Sequence, residues 1–337
     1  MRWLKSIWFR VNAVVHRSRM ERELAEEMEH HVELETRKNL EHGLDGHEAR
    51  RHRREDSGMA YRIVRTSDPG SFLLRAEAWL LAREAENNLI LGIARSLAAG
   101  GDWYEPPLYL ATVEGNDSVV GVAFRTPPYK LGLTRMPVGA VPAVAEDVAE
   151  VYDEIHTALG PVDVVRRFGD LWAARMGCIA KDGMPQRIYE LTEVIAPADP
   201  PDGAMRPAGS QDAPLLTEWG HSFHEDTGIV GGDTELLIRD LIEGDQLFVW
   251  EDHGPAAMAA SMGQTPNGAR IGYVYTPPHR RRRGYAAAVT AALSQRLLDG
   301  GRRFCCLYTD ASAATPNRVY QRIGYRHVVD VADVDFV

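Results

Sequence analysis

The sequence predicts an α+β fold with a mixed sheet, built from two blocks that follow a charged helical segment. Three observations support this prediction. Apolar stretches with helix and strand periodicity alternate through the blocks 60–196 and 204–337. A proline-rich linker at 197–203 separates the two blocks. Within the second block, a strand, a tight turn of four arginines and an alanine-rich helix follow one another, beginning at 273–286.

Length and composition indicate a globular protein. With 337 residues, 45% of them hydrophobic and 26% charged, the chain is long enough for two domains of ordinary size. Its net charge of −10 argues against a general nucleic-acid binder, which carries a basic surplus. Cys178, Cys305 and Cys306 offer no even set for a disulfide framework, and no run of about 18 apolar residues could span a membrane. We therefore expect a cytoplasmic location.

Residues 1–56 differ from the rest of the chain. Their basic and acidic residues balance, and the spacing of their apolar residues predicts a helical hairpin. The stretch from Arg19 to Met28, which reads Arg-x-x-Arg-Glu-Leu-x-Glu-Glu-Met, resembles the cytosolic leader of duplicated orphan permeases of the ABC-transporter type. No membrane helix follows, so this resemblance implies no transport. We expect the segment to depend on a protein partner, with Met59 as an alternative start of the functional chain.

The block 60–196 reads as one long helix, a hairpin, and then alternating helices and strands. The predicted elements are helix 72–97, strands 108–114 and 119–126, helix 143–159, strand 162–165, helix 167–176 and strand 187–195.

The block 204–337 reads as two helices, a three-stranded meander, and then helix, strand, helix and a final strand pair. The predicted elements are a short strand near Met205, a helix from Asp212 through Phe223, helix 234–243, strands 246–252, 256–265 and 269–276, helix 286–298, strand 304–309, helix 316–323 and a strand pair over 325–336.

The arginine turn has the features of a phosphate-binding loop. Gly284 has no Cβ, so backbone amides can turn toward a bound group, and the helix that follows begins with unpaired N–H groups. A basic surface turn is the simpler interpretation of four arginines alone. The stretch from Arg281 to Ala286 also fits the pattern Gln/Arg-x-x-Gly-x-Gly/Ala, and Asn317 to Tyr325 fits Asn-x-x-Tyr-x-x-x-Gly-Phe/Tyr.

These two patterns, in this order with a strand between them, resemble the signatures of the GNAT superfamily of N-acyltransferases. The resemblance implies that 204–337 is a catalytic GNAT domain. The block 60–196 resembles a GNAT half in its element order, but 136–142 occupies the turn where the pyrophosphate pattern would stand. We therefore expect a tandem fold with a degenerate first half and one acyl-CoA site.

The resemblance also implies roles for single residues. The amides of the loop Arg281, Arg282, Arg283, Gly284, Tyr285 and Ala286 would bind the CoA pyrophosphate. The backbone N–H of about Tyr275 would contact the thioester oxygen, and Asn317 would bind the CoA arm unless it merely caps its helix. Tyr320 would protonate the departing thiolate, since a phenol stays protonated at pH 7, unless its ring only packs on the helix.

The general base is less well defined by the sequence. Glu225 is the preferred candidate, and Glu218, His221 and His224 lie on the same helix, with Asp310 at the end of the strand opposite. Each of them could instead be a solvated group at the end of its element.

The sequence indicates no metal site, because the adjacent histidines His30 and His31 would point about 100° apart on a helix rather than to one face. We expect acetyl-CoA as co-substrate and a small-molecule or peptide amine as acceptor, whose identity the sequence does not give. A non-catalytic acyl-CoA-binding or interaction module is the alternative, and nucleic-acid binding through the arginines is disfavoured by the acidic total.

Overall fold

The computed structural model describes residues 60–101, 104–228 and 233–337. Ala60–Val337 form one compact unit. The predicted helical hairpin and the permease-like leader in 1–56 lie outside the described residues, as does the alternative start.

The described chain contains the same order of elements twice. Each run is a strand, two helices, three strands, and then helix, strand, helix and strand. The first run consists of β1 (Arg62–Thr66), α1 (Pro69–Leu81), α2 (Asn88–Ala98), β2 (Tyr109–Gly115), β3 (Ser118–Arg125), β4 (Leu131–Leu133), α3 (Val141–Ala149), β5 (Thr157–Pro161), α4 (Val162–Met176) and β6 (Ala180–Leu191). The second run consists of β7 (Ala204–Pro207), α5 (Ala213–Thr227), α6 (Thr234–Glu243), β8 (Leu247–Glu251), β9 (Pro255–Gln264), β10 (Gly268–Tyr275), α7 (Tyr285–Asp299), β11 (Phe304–Asp310), α8 (Ala314–Arg322) and β12 (Arg326–Phe336). The predicted mixed α/β fold is confirmed.

The twelve strands of the described residues form one sheet, in the order β1-β2-β3-β4-β5-β12-β6-β11-β10-β9-β8-β7. The last strand of each run crosses into the other run. β12 pairs antiparallel with β5 and with β6, while β6 also pairs antiparallel with β11. Each run therefore completes its part of the sheet with a strand from the other.

Helices cover both faces of the sheet with apolar side chains. On β8, Phe248 and Trp250 pack in the same cluster as α7, while Val249 packs toward α5 and α6, as the alternation of a strand requires. In the first run, α3 and α4 pack on β2, β4 and β5, and also on Val334 and Phe336 of β12. α1 and α2 pack on β2 and β3.

The single helix predicted over 72–97 is wrong, because the chain forms α1 and α2 with a turn at 82–87 between them. Asn87 helps to make this break. Its Nδ2 donates a hydrogen bond to Leu80 O at 3.0 Å, and so satisfies a carbonyl at the end of α1. The sequence patterns also do not predict β1.

Three further boundaries are wrong. The helix predicted over 143–159 ends at Ala149, and the strand predicted at 162–165 is the start of α4. The strand in this region is β5, which directly precedes α4. It ends at Pro161 because proline has no N–H to donate to a strand ladder and its fixed φ suits the entry to a helix. The pair predicted over 325–336 is the single strand β12, because its neighbours on both sides come from the first run.

Gly169 of α4 provides a test of the packing between the runs. A Cβ at this position would lie 2.8 Å from Val334 Cγ1 of β12 and 3.6 Å from Ala180 Cβ of β6. We expect Gly169→Leu to lower the free energy of unfolding by about 1–3 kcal/mol, because the packed interface has no room for the side chain. Urea unfolding followed by circular dichroism measures this change.

Asp170→Leu is the matched control, since Asp170 is exposed on the same helix. It should change the free energy of unfolding by less than about 0.5 kcal/mol. Equal effects of the two substitutions would show that α4 does not depend on its contact with β12.

Candidate active site

The strands β10 and β11 separate toward their carboxyl ends. Their parallel pairing runs from Gly268 opposite Phe304 to Ile271 opposite Leu307, and both strands continue beyond it. On its other side, β10 carries a register shift against β9 after Gly272. The backbone of β10 beyond its last pair therefore borders a gap between two strands rather than a ladder.

Tyr273 lies in this irregular part of β10. Its φ of 50° falls in the left-handed region, which a bulky residue rarely adopts. Strain of this kind persists where the surroundings hold the residue, and it is often found at functional sites. Tyr273 therefore marks the point at which β10 turns away from β11.

The loop between β10 and α7 presents a row of backbone amides. Arg282 and Gly284 have φ values of 64° and 86°, so the chain turns twice through the left-handed region before α7 begins. The first intrahelical bond is donated by Ala288 to Gly284. In the described residues, none of the six amides from 282 to 287 has a hydrogen-bond partner. Such a concave row at the positive end of a helix binds anions.

The backbone amide of Arg281 donates to Pro278 O at 3.3 Å and is therefore not among the free amides, and its side chain contacts other elements. Its Nε donates to Thr276 O at 2.9 Å, and its Nη2 pairs with Asp226 of α5. Its guanidinium also lies 5.7 Å from the centre of the Tyr275 ring. The side chain therefore ties the loop to the strand and to α5, while Arg282 and Arg283 are exposed.

Contacts with residues outside the loop hold Tyr285 and Gly284. The Tyr285 side chain is buried and its hydroxyl donates to Asp252, so only its backbone faces the loop. A Cβ on Gly284 would lie 3.4 Å from Pro201 Cδ, which places the predicted linker beside the loop. Trp250 Nε1 donates to the carbonyl oxygen of Asp202 at 2.9 Å and fixes the linker there.

Asn317 of α8 is buried and bonded to backbone. Its Nδ2 donates to Asp310 O at 2.9 Å and to Ala313 O at 2.8 Å, which joins the end of β11 to the start of α8. Its Oδ1 is buried and has no hydrogen-bond partner in the described part of the chain. The structure thus gives Asn317 a structural contact between the end of β11 and the start of α8.

Tyr320 lies on the α7 and α8 side of the gap. It packs in the same apolar cluster as Val274 of β10 and Leu307 of β11, with its ring 6.0 Å from that of Tyr325. Burial raises the pKa of Tyr320 to about 12. Its hydroxyl makes no hydrogen bond within residues 60–101, 104–228 and 233–337. The group is therefore protonated at neutral pH and able to donate.

The end of α5 lies on the opposite side of β10. His224 Nε2 is hydrogen-bonded to the Tyr273 hydroxyl, and the Phe223 ring stacks on Tyr273 at 4.8 Å. Burial lowers the pKa of His224, and the nearby His221 lowers it further. Burial also raises the pKa of Tyr273. At neutral pH the imidazole is therefore uncharged and the phenol protonated.

Glu225, the base preferred from the sequence, is exposed, as are Glu218 and His221. Among the described residues, His224 is the candidate on α5 that contacts β10 through a hydrogen bond. Sequence reasoning missed Tyr273, although it stands in the stretch that predicts the strand, because a positive φ at a tyrosine has no sequence signal.

The first run lacks a comparable loop. Ala140 N donates to Pro137 O, Val141 N donates to Val138 O, and Pro142 has no N–H, so these positions at the start of α3 offer no free amide. A cavity of about 40 Å³ lies next to β4 and β5, and Tyr308 of β11 is among its lining residues. It has room for about one or two waters rather than for an extended ligand.

Within the described residues, no group of three or more His, Cys, Asp or Glu side chains is placed to hold a metal ion. None of the described helices has the length and apolar character needed to cross a membrane.

One segment of the chain matches a protein family, and the fold of the chain matches solved structures. Residues 249–332 match the family described as FR47-like protein. No curated protein sequence matches the chain.

Three solved structures share the fold. An acetyltransferase of the GNAT family from Colwellia psychrerythraea is 15% identical, with 82% of this chain and 98% of that chain covered and a TM-score of 0.50. A GCN5-related N-acetyltransferase from Sphaerobacter thermophilus is 16% identical, with coverage of 81% and 94% and a TM-score of 0.52. A Drosophila melanogaster protein is 14% identical, with coverage of 83% and 99% and a TM-score of 0.57. Residues 249–332 thus match one family model, and the described chain has the fold of acetyltransferases of the GNAT family.

Proposed function

We propose that this protein is an N-acetyltransferase that transfers the acetyl group of acetyl-CoA directly to a primary amine of a small molecule or peptide. The observation that supports it most is the row of six unpaired amides from 282 to 287, which opens beside the gap between β10 and β11. The shared fold supports acyl transfer, and the acetyl donor and the amine acceptor are the more specific parts of the proposal.

The loop fits a pyrophosphate. Backbone amides at a helix N-terminus donate to phosphate oxygens and meet their negative charge with the positive end of the helix dipole. The exposed guanidinium groups of Arg282 and Arg283 add charge-assisted contacts. Gly284 keeps the approach open because it has no Cβ and because its φ of 86° suits glycine.

The gap between β10 and β11 fits the acyl end of the same ligand. A pantetheine arm contains amides that can bond to the edge of a strand, and β10 is unpaired toward β11 beyond Ile271. A thioester placed there would lie near the backbone N–H of Tyr275, which would polarise its carbonyl. Tyr320 would donate its proton to the CoA thiolate as the carbon–sulfur bond breaks.

The activity is tested with a panel of amines, by following thiol release from acetyl-CoA and by measuring CoA binding with calorimetry. Binding together with amine-dependent thiol release supports the proposal. Binding without turnover by any amine would favour the non-catalytic acyl-CoA-binding module. Failure to bind CoA would contradict both.

Gly284→Ala should weaken CoA binding about tenfold or more. The left-handed conformation costs a residue with a Cβ roughly 1–2 kcal/mol, and the new methyl group would also press toward Pro201, so the amide row would shift. Gly301→Ala is the control, because Gly301 has a φ of 92° just beyond the other end of α7 and has no neighbour within 4 Å. It carries the same backbone strain and should leave CoA affinity unchanged. Equal losses of affinity would mean that strain alone, and not the loop, explains the effect.

Tyr320→Phe should lower kcat about 10²-fold while CoA affinity stays within about twofold, because it removes the proton donor and keeps the packed ring. Steady-state kinetics together with calorimetry separate the two quantities. Tyr308→Phe is the matched control, since burial also raises the pKa of Tyr308 to about 12 but Tyr308 accepts a hydrogen bond from Asn88 at 3.3 Å instead of being free. A parallel loss of kcat and affinity in Tyr320→Phe would point to packing rather than acid catalysis.

A further inference from the structure

The two faces of the sheet offer different chemistry at the gap. Tyr320 lies with α7 and α8 on one face. Tyr273 belongs instead to the apolar cluster of α5 and α6 on the other face. A thioester held between β10 and β11 would thus have a proton donor on one side and the His224–Tyr273 pair on the other.

The position of Tyr273 supports a role in the reaction. It stands two residues beyond Ile271, the last residue of β10 that pairs with β11. It is 7% exposed, and Phe223 stacks on its ring. Its hydroxyl is therefore held in one place against α5, with His224 as its partner, while its backbone lies at the border of the gap.

The groups around His224 leave it neutral. Burial and His221, on the same helix, both lower its pKa. Asp226, the nearest acidic residue along α5 apart from the exposed Glu225, is paired with Arg281 of the loop. On β10, the hydroxyl of Tyr273 is its hydrogen-bond partner. A neutral imidazole has one nitrogen free to accept a proton.

We propose that His224 and Tyr273 together accept the proton of the attacking amine, and that the acceptor enters from the α5 side of the sheet. This inference rests on the proposed function. It assigns the base to a pair that the sequence alone does not single out, and it replaces Glu225 in that role. The acceptor pocket is then bounded by the end of α5 and by the irregular part of β10.

The proton steps balance. The amine nitrogen forms a bond to the thioester carbon, and the carbon–sulfur bond breaks. As the nitrogen becomes positively charged, its proton passes to the Tyr273 oxygen while the Tyr273 proton passes to His224 Nε2. The departing thiolate takes the Tyr320 proton. The enzyme is left with a charged imidazole and a phenolate, which return to their starting states by proton exchange with solvent.

Substitution of each member of the pair tests the inference. With the amine that turns over best in the panel, His224→Gln and Tyr273→Phe should each lower kcat about 10²-fold, with CoA affinity within about twofold. His156→Gln is the control, because the His156 side chain is 75% exposed and lies in the first run. It should leave kcat unchanged. Circular dichroism checks that each variant folds.

Two further readouts separate proton transfer from packing. Because protonated His224 cannot accept a proton, kcat of the unaltered protein should fall as the pH drops below about 6.5, through the lowered pKa of His224. In His224→Gln this acid limb should disappear. Added imidazole should restore part of the activity of His224→Ala, which a purely structural histidine would not allow.

The outcomes distinguish this inference from the proposed function. Turnover that survives His224→Gln, or that is lost instead in Glu225→Gln, overturns the His224–Tyr273 pair and leaves the acetyltransferase intact. Absence of turnover by the unaltered protein with every amine overturns both. A loss of CoA affinity equal to the loss of kcat in both variants would assign the pair a structural role and overturn the inference.

Discussion

Strand β12 lies between β5 and β6, and β6 lies between β12 and β11, so each run closes its sheet with a strand from the other. Without β12 and β6, respectively, β5 and β11 would each present an open edge of unpaired N–H and C=O groups, which favours aggregation. The exchange also buries apolar surface, since Val334 and Phe336 of β12 pack under the helices of the first run. The first run is therefore part of the scaffold of the second.

The exchanged strand also shapes the candidate site. β11 pairs with β6 from Cys305 as far as Asp310, opposite Gln186. Its pairing with β10 ends earlier, at Leu307. The carboxyl end of β11 is thus held by the first run while β10 turns away at Tyr273, and the gap between the two strands stays open. A strand from the first run in this way maintains the geometry on which the proposed acyl binding by the second run would depend.

The part of the candidate site that has a local cause could be predicted from the sequence. Gly284 precedes an alanine-rich helix, and the structure places a left-handed turn and free amides there. The strands that pair with β12 could not be predicted from the sequence, because a strand of alternating residues does not specify which distant strand it joins. The break between α1 and α2 depends on Asn87 reaching back to Leu80, which competes with a continuous helical pattern. The roles of Arg281 and Tyr273 depend on contacts with α5, which no motif encodes.

The two runs together clarify what Arg281 does. In the first run, Arg135 follows β4 and pairs with Glu86 beyond α1 at 3.0 Å, just as Arg281 follows β10 and pairs with Asp226 at the end of α5. The first run has this ion pair although Ala140, Val141 and Pro142 at the start of its α3 offer no free amide. In the first run, the arginine thus acts as a tie between the strand end and the helix pair. By the same reasoning, Arg281 positions the loop, which leaves the backbone amides with Arg282 and Arg283 as the groups that would contact the pyrophosphate in the proposed function.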